Sequence, residues 1–253
     1  MKKLYYPVIV FALLCLSSCV DIEEHYDFKA NGACNVTYGF DMSKAVSVLM
    51  NLMADSVRET PQFAMVKDTS LNFYTALPDS IALKLNAEET KMAQGSDLAV
   101  KMDLKNNIMK VSIRHEAKDA AELEYYLQHL SNMSMSNQLN SVAKNNQLRS
   151  FDTQQLMTGQ SYYNYQVTPH KFARIIDKVK FNKFLKTVGA KFAMAKAMLI
   201  DMPYKVVLNF AKPVKKVNNK NAIVSADRRR VTIETSMDEV IKNPALMNLE
   251  VDF

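Results

Sequence analysis

Apolar residues at every second position, in short runs broken by turn residues, constrain this chain more than any other feature. Tyr26, Phe28 and Ala30, then Cys34, Val36, Tyr38 and Phe40, alternate in this way on either side of Asn31-Gly32. A period of two is that of a half-buried strand. A two-residue Asn-Gly loop would pair residues of opposite parity and split the apolar set between two faces. A three-residue loop, Ala30-Asn31-Gly32 with Gly32 left-handed, pairs Phe28 with Cys34 and Tyr26 with Val36 and keeps one apolar face. Leu98 to Leu104 and Met109 to Ile113 alternate with opposite parity, so an even loop is required. Asn106-Asn107, two residues that tolerate positive φ, would pair Leu104 with Met109, Met102 with Val111 and Val100 with Ile113. Further alternating runs are Tyr163-Val167, Tyr204-Phe210, Val231-Thr235 and Leu249-Phe253.

Helical stripes lie between these runs. Ser43 is placed to cap a helix carrying Val46, Leu49, Met50, Met53 and Val57, which must stop before Pro61. Asn86 and Glu89 have the spacing of a capping box, with Gly95 at the end of that helix. Asp119 and Glu122 open another, with Leu123, Tyr126, Leu127 and Leu130 on one face. Phe181, Phe184, Leu185, Val188, Phe192, Ala195 and Leu199 form a long stripe that Pro203 ends. The expected fold is α+β, with antiparallel hairpins interleaved with amphipathic helices packed on one face of the sheet. Two α+β regions, 26–134 and 161–253, flank a polar linker or loop at 135–160, and the two can join as one domain.

The first residues have a different character. Met1-Lys2-Lys3 is a basic start, Leu4 to Leu16 is almost continuously apolar, and Ser17-Ser18-Cys19 follows. This is the layout of a signal peptide over residues 1–18. The apolar run is short of the roughly 20 residues needed to cross a bilayer. Leu16-Ser17-Ser18-Cys19 resembles the lipobox of bacterial lipoproteins. The resemblance implies cleavage before Cys19, acylation of its thiol, and anchoring to a membrane of the cell envelope. The outer membrane is the expected one, with the protein facing the periplasm or the cell surface. Residues 19–25 then read as an acidic, lipid-anchored tether. Its Asp21, Glu23 and Glu24 resemble the surface-export signals of Bacteroidetes lipoproteins, and the Asn31-Gly32 hairpin behind the anchor looks like lipoproteins of the same group. Asp55-Ser56-Val57 and Asp79-Ser80-Ile81 resemble the O-glycosylation sequon of that group. Ser80, beside Pro78 in an expected loop, is the better acceptor, and Ser56 the lesser. Tyr204-Lys205-Val206-Val207-Leu208, Asn218-Asn219 and Val231-Thr232-Ile233 together resemble the LppM-like envelope lipoprotein domains. That likeness implies contact with lipids or glycans and transfers no catalytic residue.

Little in the remaining sequence points to catalysis. Cys15 leaves with the signal and Cys19 carries lipid, so Cys34 has no partner for an intramolecular disulfide. On the apolar side of a strand it reads as a buried hydrophobe and a poor nucleophile. His115-Glu116 lacks the second His of a zinc-protease motif, and no Gly-x-Ser-x-Gly, Walker or dinucleotide fingerprint occurs. His25 stands among Asp21, Glu23, Glu24 and Asp27, a poor metal site if that segment is a flexible tether. Glu88-Glu89 and Glu122/Glu124 are better explained by helix capping than by acid-base chemistry. The sixteen Met residues read mostly as core filler. No catalytic residue, metal or cofactor is expected. Charge is uneven: residues 171–253 hold 17 Lys/Arg against 8 Asp/Glu, a net +9, whereas residues 19–170 hold 13 against 18, a net −5. Lys183 and Lys186 lie opposite the long apolar stripe and are candidates for an anionic lipid or polysaccharide surface. Export argues against nucleic acid. The expected function is a lipid-anchored, non-enzymatic binding or structural module of the envelope. The alternative is a hydrolase of envelope lipids or glycans, which would gather His115, His129 or His170 with two carboxylates.

Overall fold

Strand β1 (Asp21–Phe28) and strand β2 (Cys34–Asp41) form the first hairpin, with Phe28 opposite Cys34 and Tyr26 opposite Val36. The expected register therefore holds. Gly32 has φ +88°, and Lys29 N–H donates to Ala33 O at 2.8 Å, closing the three-residue loop. The fold is that of a computed structural model, described for residues 20–61, 64, 66–130, 162–197 and 201–253. The expected signal segment, Cys19, the expected linker at 135–160 and Leu199 lie outside the described residues, as does the side chain of Ala195.

Helices α1 (Ser43–Leu52) and α2 (Asp55–Arg58) follow, then β3 (Val66–Asn72), α3 (Asp79–Ala82), α4 (Ala87–Gln94), β4 (Ser96–Asp103), β5 (Ile108–Ala117) and α5 (Ala120–His129). Beyond the linker come β6 (Tyr163–Thr168), β7 (Lys171–Ile176), α6 (Lys178–Ala197), β8 (Pro203–Phe210), β9 (Lys216–Val217), β10 (Ile223–Val224), β11 (Arg230–Ser236) and α7 (Met237–Lys242). A 3₁₀ turn (Pro244–Met247) and β12 (Leu249–Asp252) complete the order. The architecture is α+β. One sheet of eight strands runs β10-β11-β8-β1-β2-β5-β4-β3, and a second of four runs β6-β7-β12-β9. β1 pairs with β2 antiparallel but with β8 parallel, so strands from both sides of the linker share the large sheet. The two regions read from the sequence thus meet in one core, which runs from Ile22 to Val251.

The core lies against one face of the large sheet. Cys34, Val36, Tyr38 and Phe40 of β2, and Tyr204, Val206, Leu208 and Phe210 of β8, are all buried on it. The small sheet and the helices cover that face together: Phe172 of β7 packs on Tyr26, and Phe181 and Phe184 of α6 pack on Tyr162.

Several local readings are corrected. Asp21 to His25 are not a tether but the first half of β1, because Ile22, Glu24 and Tyr26 share the buried face. Ser43 is not a cap. Asp41 accepts from Ser43 N–H, and the Ser43 hydroxyl accepts from Met109 N–H, fastening α1 to β5. α1 stops at Leu52, where Met53 turns extended, and Val57 belongs to the separate turn α2. The β4–β5 hairpin pairs Met102 with Met109 and Val100 with Val111, a shift of two residues from the expected register. The Asp103 carboxylate accepts from both nitrogens of Asn106, and Asn107 takes φ +54°, so the loop spans Leu104 to Asn107. Parity is preserved because the shift is even.

Candidate functional site

At the centre of the core lies a charged pair. Glu24 of β1 and Arg174 of β7 are both fully buried, and Arg174 Nη1 donates to Glu24 Oε2 at 2.8 Å. Tyr26 donates to the same carboxylate at 2.7 Å, and the Tyr204 hydroxyl donates to its other oxygen. Arg174 Nε reaches Met247 O at 3.2 Å, and the guanidinium carbon lies 4.1 Å from the centre of the Tyr163 ring. Burial works against the arginine charge, but the Glu24 carboxylate together with Tyr163, Tyr204 and Tyr165 outweighs it and holds the Arg174 pKa above its ordinary value. Burial, and then the same carboxylate, push the Tyr26 and Tyr204 hydroxyls upward, so both remain proton donors. This pair ties the large sheet to the small one and is closed to solvent.

One surface feature with room for a ligand sits where β1 ends. Phe28 stacks on Phe210 at 5.0 Å and meets Phe253 at 5.1 Å and Phe172 at 5.7 Å. Phe28 and Phe253 of this cluster floor a cleft of about 330 Å³, within the size range of small-molecule sites. Its walls are the β1–β2 turn, the β6–β7 turn at Pro169-His170, the start of α5, and Ala211-Lys212 after β8. Lys29, Lys212 and His170 stand exposed around it. Asp119, the one carboxylate of the lining, accepts from Glu122 N–H at 2.9 Å as the cap of α5.

The other sequence candidates are dispersed. His115 is buried, stacked on Tyr126 with centroids 3.8 Å apart. Ser96 Oγ donates to Met92 O at 2.6 Å, so at 2.8 Å it accepts from Nδ1–H of His115. Burial lowers the His115 pKa to about 4. His129 stacks on Tyr125 and bonds to its carbonyl. His25 points outward to Glu23, on the side of β1 away from Glu24. The three His of the hydrolase reading do not gather, and the cleft brings His170 only to Asp119. Among the described residues no group of three His, Cys, Asp or Glu is placed to hold a metal ion. Cys34 is buried, and burial pushes its thiol up to about 12. Glu89 completes the capping box with Asn86, and Glu122 accepts from Lys118 N–H. Glu124 binds Val167 N–H, fixing α5 to β6. Asn219 donates to Leu246 O and Asn248 O, bracing the start of β12. Lys183 and Lys186 are exposed on α6, opposite the buried Phe181, Phe184 and Val188. Ser80 and Ser56 are exposed, but each sits in a single-turn helix, so Ser80 is not in a loop.

The sequence reading passed over Arg174, Lys29 and Lys212. A signal for Arg174 exists: Phe172, Arg174 and Ile176 share one strand parity, as do Ile22, Glu24 and Tyr26, so opposite charges occupy core-facing positions of two strands. The lysines carry no such signal, since turns are commonly basic and only the fold brings these two around one aromatic floor. No protein-family model, curated protein or solved structure matches the chain.

Proposed function

We propose that this chain is a lipid-anchored protein of the bacterial cell envelope whose folded body is a non-enzymatic binding module. Its ligand is an anionic molecule with an apolar portion, of the chemistry found in envelope lipids. The cleft carries this reading. An aromatic floor offers burial to an apolar chain, and Lys29 and Lys212 offer charge to a headgroup at the rim. The lipobox resemblance at Cys19 supports the address. In this reading the cleft opens at the end of β1 remote from the anchor, roughly 25 Å away for an eight-residue strand. The exposed Lys183 and Lys186 supply a second, weaker contact with anionic lipid or polysaccharide.

Two measurements test the parts. A Cys19→Ala precursor should lose incorporation of a clickable fatty acid and leave the membrane fraction; unchanged labelling would remove the anchor from the reading. Calorimetry with dodecyl phosphate and dodecanol tests the cleft. The phosphate should bind more tightly. Lys29→Glu with Lys212→Glu should weaken it about tenfold, since two screened rim charges together contribute on the order of 1–2 kcal/mol. Equal affinity for the two probes would dismiss the anionic cleft.

A further inference from the structure

Several of the apolar side chains that the fold leaves in solvent lie on α1 and at the start of β3, while Leu83, Ile175, Val179 and Ile223 are exposed elsewhere. Val48, Leu49 and Leu52 are exposed on α1, Leu52 by 73%, and Val66, exposed by 66%, opens β3. Val46 and Met50 turn the other side of α1 into the core. At 100° per residue, Val48, Leu52 and Leu49 sweep a continuous arc away from that buried side. The helix is therefore apolar on two sides and, among the described residues, has protein against one of them.

The neighbours of this arc are fixed by the pairing. α1 leaves β2 just after Asp41, which pairs with Asp21 at the start of β1. Val66 pairs with Asp103, and Asp103 with Ile108, next to the Met109 that Ser43 and Met42 hold. Lys44 of α1 reaches Asp21 at 3.6 Å. Val20 is already tied down, its N–H donating to Asp201 O at 3.1 Å. Cys19 thus lies two residues from Asp21, at most about 7 Å of extended chain. Acyl chains on Cys19 would leave the molecule beside α1, with no spacer to lift the body from the bilayer.

We infer that the exposed face of α1, with Val66, rests on the lipid bilayer that holds Cys19, with Val48, Leu49 and Leu52 in the boundary between headgroups and acyl chains. The inference builds on the lipoprotein reading and adds an orientation to it. The charges here are of both signs and paired, Lys44 with Asp21 and Lys110 with Asp41, so the contact is apolar rather than electrostatic. An amphipathic helix seated this way sinks about 5–10 Å into the interface and needs no high net charge when a covalent anchor holds it there.

The chain has no Trp, which permits a clean reporter. Leu52→Trp places one on the proposed face. Arg229→Trp, exposed at the opposite end where Phe210 N–H donates to Arg229 O, serves as reference. Each mature variant is reconstituted in phosphatidylcholine vesicles with brominated acyl chains, and Cys19 acylation is checked by mass in the same sample. Emission from the Leu52→Trp variant should shift to the blue and be quenched several-fold more than that of the Arg229→Trp reference. Adding anionic lipid or salt should change this little. Acylated Cys19 with the Leu52→Trp indole quenched no more than the reference would overturn the bilayer face and leave the anchor standing. Emission from Leu52→Trp that is blue-shifted but untouched by bromine would also overturn it, since protein would then cover the face. Unacylated Cys19 would remove the anchor, and the orientation with it.

Discussion

His115 is a buried histidine whose surroundings oppose its charged form. It is neutral in the fold because burial holds its pKa near 4, and Ser96, already committed to Met92 O, can only accept from the ring. In the unfolded chain an imidazole titrates near its ordinary value of about 6.5. As pH falls below about 6.5 the unfolded chain takes up this proton before the folded one does. His115's contribution to stability is therefore complete above that pH and is lost as pH falls toward 4. Between about pH 8 and about pH 5 the loss from this one group is about 2 kcal/mol. His115→Phe keeps the stack on Tyr126, and Ser96 keeps Met92. Urea unfolding at the two pH values should show the native protein losing about 2 kcal/mol more than the variant. Equal losses would mean that His115 protonates freely in the fold.

The elements show which parts of a sequence speak for themselves. The first hairpin was legible to the residue because one apolar face and one glycine left a single register. At Gly32 an added Cβ would meet nothing within 4 Å, so the position is set by backbone conformation alone. Gly32→Ala should cost about 1 kcal/mol in thermal or urea unfolding, and Gly32→Asn distinctly less, because Asn tolerates the left-handed region. Equal costs would point to something other than φ. The β4–β5 register was not legible. Two Asn residues satisfy a two-residue turn and a four-residue turn alike, and the Asp103 carboxylate that selects the longer one is a side-chain detail. The α1 stripe reads as one long helix through Val57 because periodicity cannot see a break at Met53. The cleft was hidden for a different reason: its walls come from four segments far apart in the chain.

Across the whole molecule, the segment misread most completely is the one that organises the core. An acidic run at Asp21-Ile22-Glu23-Glu24 looks like a solvated tether because charge is normally exposed. What reverses this is Arg174, 150 residues later, in a second sheet. β1 lies between β2 and β8 in the large sheet, so Glu24 faces the middle of the core with three donors around its two oxygens. Removing one partner of a buried pair leaves an uncompensated charge and costs about 3–5 kcal/mol, whereas neutralising both costs much less than the two single changes added together. Glu24→Gln leaves an acceptor for the Tyr26 and Tyr204 hydroxyls while stranding the arginine. Arg174→Met strands the carboxylate. The double variant strands neither. A cycle measured by urea unfolding should therefore give two severe single variants and a double variant less than additive by at least about 2 kcal/mol. Because the pair joins the sheets, hydrogen exchange in the single variants should accelerate first in β6, β7 and β12, ahead of β4 and β5. Additive costs, or exchange that rises evenly through both sheets, would show that the apolar core holds the sheets together without the pair.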